Sequence, residues 1–139
     1  MMNDEVRRVM RHDPVVIKAD DDLFKAHQLM LMSRCFQLPV VENGHLTGMI
    51  TIGEVSENIG DDSKLVRDVM QDQVIRIAPK DKLGTAAELF MDGRFDILPV
   101  VNLRNELKGV LLEADIVRWA LKDNYETTIL YGDVIEGSV

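Results

Sequence analysis

Along the chain, short β-branched runs alternate with stretches whose apolar residues recur at helical spacing, and this order appears twice. Val15-Val16-Ile17 and Val74-Ile75-Arg76-Ile77 are bounded by charged residues and by Pro14 or Pro79, the pattern of short strands. Leu23, Ala26 and Met30 follow the first run, and Leu83, Ala86 and Phe90 the second. Both sets have helical spacing, with Asp21 and Asp81 at the expected N-cap positions. Gly93 reads as the C-terminal cap of the later helix. Two more strands are predicted at Leu38–Val41 and Leu46–Thr51, joined through Asn43-Gly44, a strong hairpin signal. With a second helix closing each copy, the predicted order is β-α-β-β-α, twice, separated by a polar linker at residues 56–65.

The duplication is visible residue by residue, and a repeated unit has to be recognised before any single motif is interpreted. Val6-Arg7-Arg8-Val9-Met10 recurs sixty residues later as Val66-Arg67-Asp68-Val69-Met70. The same shift carries Ile17 onto Ile77, Arg34 onto Arg94, and Leu38-Pro39-Val40-Val41 onto Leu98-Pro99-Val100-Val101. One extra turn residue in the second copy then brings Gly48 into register with Gly109. The fold class expected is α/β, with repeats at residues 1–62 (linker included) and 63–122 and a tail at 123–139.

Composition narrows the function classes. The 139 residues are 46% hydrophobic and 29% charged, as in a globular protein. The longest apolar run, Ile97 to Val101, falls far short of the roughly 20 residues that span a bilayer. Twenty-four acidic against sixteen basic residues give a net charge of −8, a poor match for nucleic acid or an acidic membrane. A single cysteine, Cys35, and an N-terminus without a secretory signal pattern point to the cytoplasm.

The Val-x-x-Val-Met openings, the Leu-Pro-Val-Val strands, and the Gly-Met-Ile-Thr-Ile-Gly-Glu and Gly-Val-Leu-Leu-Glu-Ala-Asp segments together resemble the CBS (cystathionine β-synthase) domain in tandem. The resemblance covers about residues 5–122. It implies two repeats packed as a pseudo-twofold pair, with two clefts between them and no reaction catalysed. In members that bind ligands, these clefts take AMP, ADP, ATP, S-adenosylmethionine or related molecules. A Gly-h-h-Ser/Thr-x-x-Asp motif from one copy, h being apolar, serves each cleft. Its acid holds ribose hydroxyls and its hydroxyl meets phosphate. The base lies against the first strands of the other copy, which implicates Val15 and Ile75.

The two motifs depart from that pattern in different ways. Thr51-Ile52-Gly53-Glu54 keeps the hydroxyl but has Glu54 in place of aspartate. The same four residues spell a capping box, in which the glutamate returns to the N-cap amide, so a ligand site and a plain helix cap are both open readings. In the second copy Asp115 keeps the ribose position, whereas Leu112 replaces the hydroxyl and Glu113 adds a charge. Two acids at a helix start suit the macrodipole without a ligand and repel phosphate, so phosphorylated ligands are expected to prefer the Thr51 cleft. Arg34 and Arg94 stand where the family lines its clefts, and a planar guanidinium suits phosphate.

Other residues carry plainer readings. His12, His27 and His45 lack metal-ligand spacing, and Asp20-Asp21-Asp22 is read as helix capping rather than a metal cluster. Cys35 lacks a catalytic neighbour pattern, and the eight methionines read as adaptable core. The expectation is a non-catalytic regulatory module with no required cofactor. It would sense an adenosine-type ligand as a homodimer or attached to a regulated protein partner. The alternative is a dimerisation or interaction module with vestigial clefts.

Overall fold

In the computed structural model, residues 2–93 and 95–122 are described; Arg94 and the tail at 123–139, both singled out above, lie outside them. A short 3-10 turn at Val6–Arg8 precedes helix α1 (Leu23–Ser33), strands β1 (Gln37–Glu42) and β2 (His45–Thr51) and helix α2 (Ile52–Asn58). The second copy repeats the order with α3 (Val66–Val69), α4 (Leu83–Phe90), β3 (Ile97–Val101) and β4 (Leu107–Leu112), after which residues 113–122 are helical. Each antiparallel pair, β1 with β2 and β3 with β4, carries a bulge at the same place, Val40/Val41 and Val100/Val101. Asn43 and Gly44 both have positive φ, 52° and 82°, as the predicted two-residue hairpin requires.

The first strand of each copy is shorter than expected. Only Ile17 and Ile77 pair, each as a single parallel bridge, to Val40 and Val100. Directly after these bridges, Asp21 accepts from the Lys18 amide at 3.0 Å and Asp81 from the Ala78 amide at 2.8 Å, closing turns that lead the chain off the sheet. Because these aspartates are spent on turns, the helix caps fall one residue later than predicted. Asp22 caps α1 by accepting from the Lys25 amide at 2.8 Å, and Lys82, at the matching position, makes no side-chain cap. Arg34, with φ 55°, ends α1 in a left-handed conformation, whereas Gly93, with φ 77°, lies beyond the C-cap of α4, which is Met91. Helix α2 runs on to Asn58, so the connection starts three residues later than the predicted linker.

Two cores form, and each is completed by the opening segment of the other copy. Val66 is buried among Ile17, Leu23, Met30, Leu38 and Ile50, while Val6 and Met10 are buried among Ile77, Leu83, Phe90, Leu98 and Leu111. Backbone bonds follow the same exchange: Val66 N–H to Asp21 O at 2.9 Å mirrors Val6 N–H to Asp81 O at 2.8 Å. Where the segments cross the sheets, Gln71 exchanges both backbone bonds with Met49, and Arg11 does so with Val110. Gly48 and Gly109 lie under these crossings. A Cβ on Gly48 would meet Gln71 O at 2.7 Å, and one on Gly109 would overlap Arg11 O. A smaller cluster of Met49, Ile97 and Val110, flanked by Cys35, Val74 and Leu112, joins the two halves.

Candidate functional site

The end of β2 and the crossing of the Gln71 segment create a cleft between the halves. It encloses about 240 Å³. The first copy contributes Gln37, Met49 and Thr51; the crossing segment contributes Gln71, Gln73, Val74 and Ile75; β3 and its approach contribute Phe95 and Ile97–Pro99. Thr51 and Ile75, both named from the sequence, line the same space. A wider groove of about 690 Å³ adjoins it, sharing Gln37, Thr51, Gln71 and Ile97 and adding Arg34, Asp96, Leu112 and Glu113.

Thr51 is the N-cap residue of α2, and the reciprocal capping box, one of the two readings left open by the sequence, does not form. Its hydroxyl donates to the Glu54 carboxylate and makes no side-chain cap bond. The first helical amide, Ile52 N–H, is already taken by Phe36 O at 2.9 Å, and Glu113 N–H by Asp96 O at 3.0 Å in the second copy. Glu54 lines neither cavity and stands behind Thr51. Its Oε1, and Oε1 of Gln37, are buried without a hydrogen-bond donor.

The matching acid in the second copy is engaged differently. Arg11 donates to Asp115 through Nε at 2.9 Å and through a terminal nitrogen at 3.1 Å, and Arg118 donates at 2.7 Å. The Asp115 bond holds the Arg11 guanidinium above its ordinary pKa. Asp115 faces a shallow depression with Arg8, Trp119 and Lys122 rather than the Thr51 cleft. Val15 is 39% exposed and lines none of these three cavities. Arg94 is outside the described residues.

Sequence reasoning missed Gln37, Gln71, Gln73 and Arg11. Glutamine belongs to no motif, but Gln71 and Arg11 each follow a Val-x-x-Val-Met opening directly, and that shared place was a usable signal. Among the described residues, no group of three or more His, Cys, Asp or Glu side chains could hold a metal ion. No helix among them is long and apolar enough to cross a membrane.

The family model described as "CBS domain" matches twice, at residues 6–61 and 66–122. The chain belongs to the CBS domain family. A homoserine O-acetyltransferase from Methanocorpusculum labreanum is 31% identical over 107 residues, which is 76% of this chain. The CBS chain spans only 22% of that enzyme. Among solved structures, CBSX2 from Arabidopsis thaliana has a TM-score of 0.80 at 24% identity, covering 87% of this chain and 96% of its own. CBSX2 has also been solved in complex with AMP, at a TM-score of 0.77. The CBS domain pair of MJ0100, in complex with 5′-methylthioadenosine and S-adenosyl-L-methionine, has a TM-score of 0.76 at 19% identity, covering 86% of this chain and 98% of that one. At such identities the likeness establishes the fold: a mixed α/β tandem CBS module.

Proposed function

We propose that this CBS pair is a non-catalytic regulatory module that takes an adenosine-type ligand between its repeats. The observation that carries the reading is the 240 Å³ cleft in which Thr51 of one repeat faces Val74, Ile75 and Ile97–Pro99 of the other. Apolar walls with a few convergent polar groups are what a small-molecule site needs. Structural neighbours bound to AMP, 5′-methylthioadenosine and S-adenosylmethionine support the adenosine class. Regulation follows if the bound ligand favours one arrangement of an interface over another. Repeats assigned to residues 1–62 and 63–122, and no required cofactor, complete the proposal.

Thermal-shift measurements with adenosine, AMP, ATP, 5′-methylthioadenosine and S-adenosylmethionine test it, because a ligand that binds only the folded state raises its melting temperature. At least one is expected to do so, saturably, and Thr51→Ala should weaken that binding about tenfold or more by removing a hydrogen-bonding group. If none shifts the transition, the vestigial-cleft reading takes over. That rival draws on Asp115, whose carboxylate is already held by Arg11 and Arg118.

The module is also proposed to dimerise. Phe24, Leu31 and Met32 on α1 and Val117 and Leu121 in residues 113–122 are apolar and more than half exposed, side chains that a twofold partner would cover. Light scattering should return twice the 15.7 kDa chain mass, and a monomer at micromolar concentration would refute the dimer.

A further inference from the structure

We infer that the depression lined by Arg8, Arg11, Arg118, Trp119 and Lys122 docks an acidic segment of a partner protein. This goes beyond the ligand-binding function proposed above and does not depend on it. Four cations and one carboxylate, Asp115, surround a shallow space of about 280 Å³, on a chain whose net charge is −8. The repeat supplies an internal control. The shifts that superpose the two copies put Asp68, Gln71, Glu57, Asn58 and Asp61 where Arg8, Arg11, Arg118, Trp119 and Lys122 stand. The first copy folds with acidic or neutral residues at these places, so the fold itself does not call for the cations.

Asp115 is the positioning residue of this surface. It accepts from Arg11 at 2.9 and 3.1 Å and from Arg118 at 2.7 Å, which fixes two guanidiniums side by side while balancing the charge of only one. Their side chains remain 52% and 67% exposed, so N–H groups that Asp115 does not use face solvent. A guanidinium takes carboxylates through paired hydrogen bonds, and one held in place beforehand loses less freedom on docking. Among the described residues, Arg8 and Lys122 have no carboxylate partner; Lys122 lies 5.8 Å from the centre of the Trp119 ring. That ring is itself anchored, since its indole N–H donates to Asp4 at 2.9 Å. Arginine and tryptophan are the side chains on which protein interfaces most often concentrate their binding energy. A shallow surface suits an extended chain, whereas sites for small molecules enclose most of their ligand.

Titration of the full chain with deca-glutamate, followed by calorimetry and by the emission of Trp119, its single tryptophan, tests this. The peptide should bind saturably and shift the emission, and Arg8→Glu combined with Lys122→Glu should weaken it about tenfold or more, because two attractions become repulsions. Should that pair lower the melting temperature, Arg8→Gln with Lys122→Gln replaces it, and a threefold loss is expected. Arg104→Glu with Lys108→Glu makes the same change in net charge at exposed positions outside the depression, and should bind like the parent. An equal loss in that control would reduce the effect to attraction by the whole chain and overturn the site. Tripolyphosphate binding as tightly as the peptide would make this a small-anion site instead. A lower mass by light scattering for the Arg8, Lys122 variant than for the parent would assign the cations to a contact between copies of this chain, and would likewise overturn an external partner. No binding of deca-glutamate by the parent sinks the proposal outright. Thermal shifts with adenosine compounds should be the same in parent and variant, so the ligand-binding function stands or falls separately.

Discussion

Gly109→Ala is expected to lower the melting temperature by about 10 °C or more, with Gly60→Ala as a neutral control. A Cβ at residue 109 would overlap the carbonyl oxygen of Arg11 and sit 3.2 Å from the Met10 sulfur. A flexible side chain could swing aside, but the Arg11 carbonyl cannot, because Val110 N–H is bonded to it at 3.0 Å and Arg11 N–H to Val110 O at 2.8 Å. Overpacking typically costs about 1–3 kcal/mol, and backbone overlap belongs at the upper end of that range. For a chain of this size, about 3 kcal/mol corresponds to about 10 °C in melting temperature. At Gly60 an added methyl would meet nothing within 4 Å, and φ is not positive, so the alanine variant should melt within about 2 °C of the parent. Scanning calorimetry of both variants decides the matter. If Gly109→Ala melts with the parent, the Arg11 crossing yields to a methyl group and does not clamp β4.

Periodicity made most of the elements legible. The apolar segments Leu38–Val41 and Leu46–Thr51 flanking Asn43-Gly44 gave strands that do pair, and the Leu23, Ala26, Met30 spacing gave a helix that buries those three residues. What periodicity reports is which face of a segment is apolar; it carries no information about which core that face enters. Val6 and Val66 are equivalent in sequence, and nothing in either opening says that it crosses to the other copy. The cap positions failed for a related reason. Asp20-Asp21-Asp22 offers three carboxylates for one cap, and only the turn at Lys18 reveals that Asp21 is already used.

Of the residues named from the family resemblance, Thr51 and Ile75 line the candidate cleft, and both positions are tied to a motif or a predicted strand. Glutamines 37 and 73 were silent, since an amide has no spacing rule that marks it as functional, and Gln71 was marked only by its place after the second opening. The direction of the Thr51 hydroxyl was also invisible. Thr-x-x-Glu is compatible with a glutamate that reaches the backbone and with one that reaches the hydroxyl, and the spacing alone does not choose between them. The clamp of Arg11 on Asp115 spans 104 positions in sequence and follows from the exchange of opening segments.

That exchange makes the largest prediction unusual in where its effect should appear. Removing residues 1–11 deletes the start of the first copy, yet it should open the second. The segment supplies Val6 and Met10, 0% and 8% exposed, to the core formed by Ile77, Leu83, Phe90, Leu98 and Leu111. Burying a side chain of that size contributes about 1.5–3 kcal/mol, so the pair accounts for about 3–6 kcal/mol. Set against a typical stability of about 5–15 kcal/mol, the loss is a large fraction of the whole. Backbone bonds from Val6 to Asp81, Arg7 to Pro79 and Leu83 to Asp4 go as well, along with both Arg11–Val110 bonds. Amide hydrogen exchange followed residue by residue should therefore show protection falling first at Leu98, Val100 and Leu111, with Leu38, Val40 and Ile50 holding longer. The mirror variant, Val66→Asn, places a polar group among Ile17, Leu23 and Ile50, and should instead expose the first core although residue 66 belongs to the second copy. Loss of protection in the truncated protein confined to residues 17–50 would show that each opening packs within its own repeat.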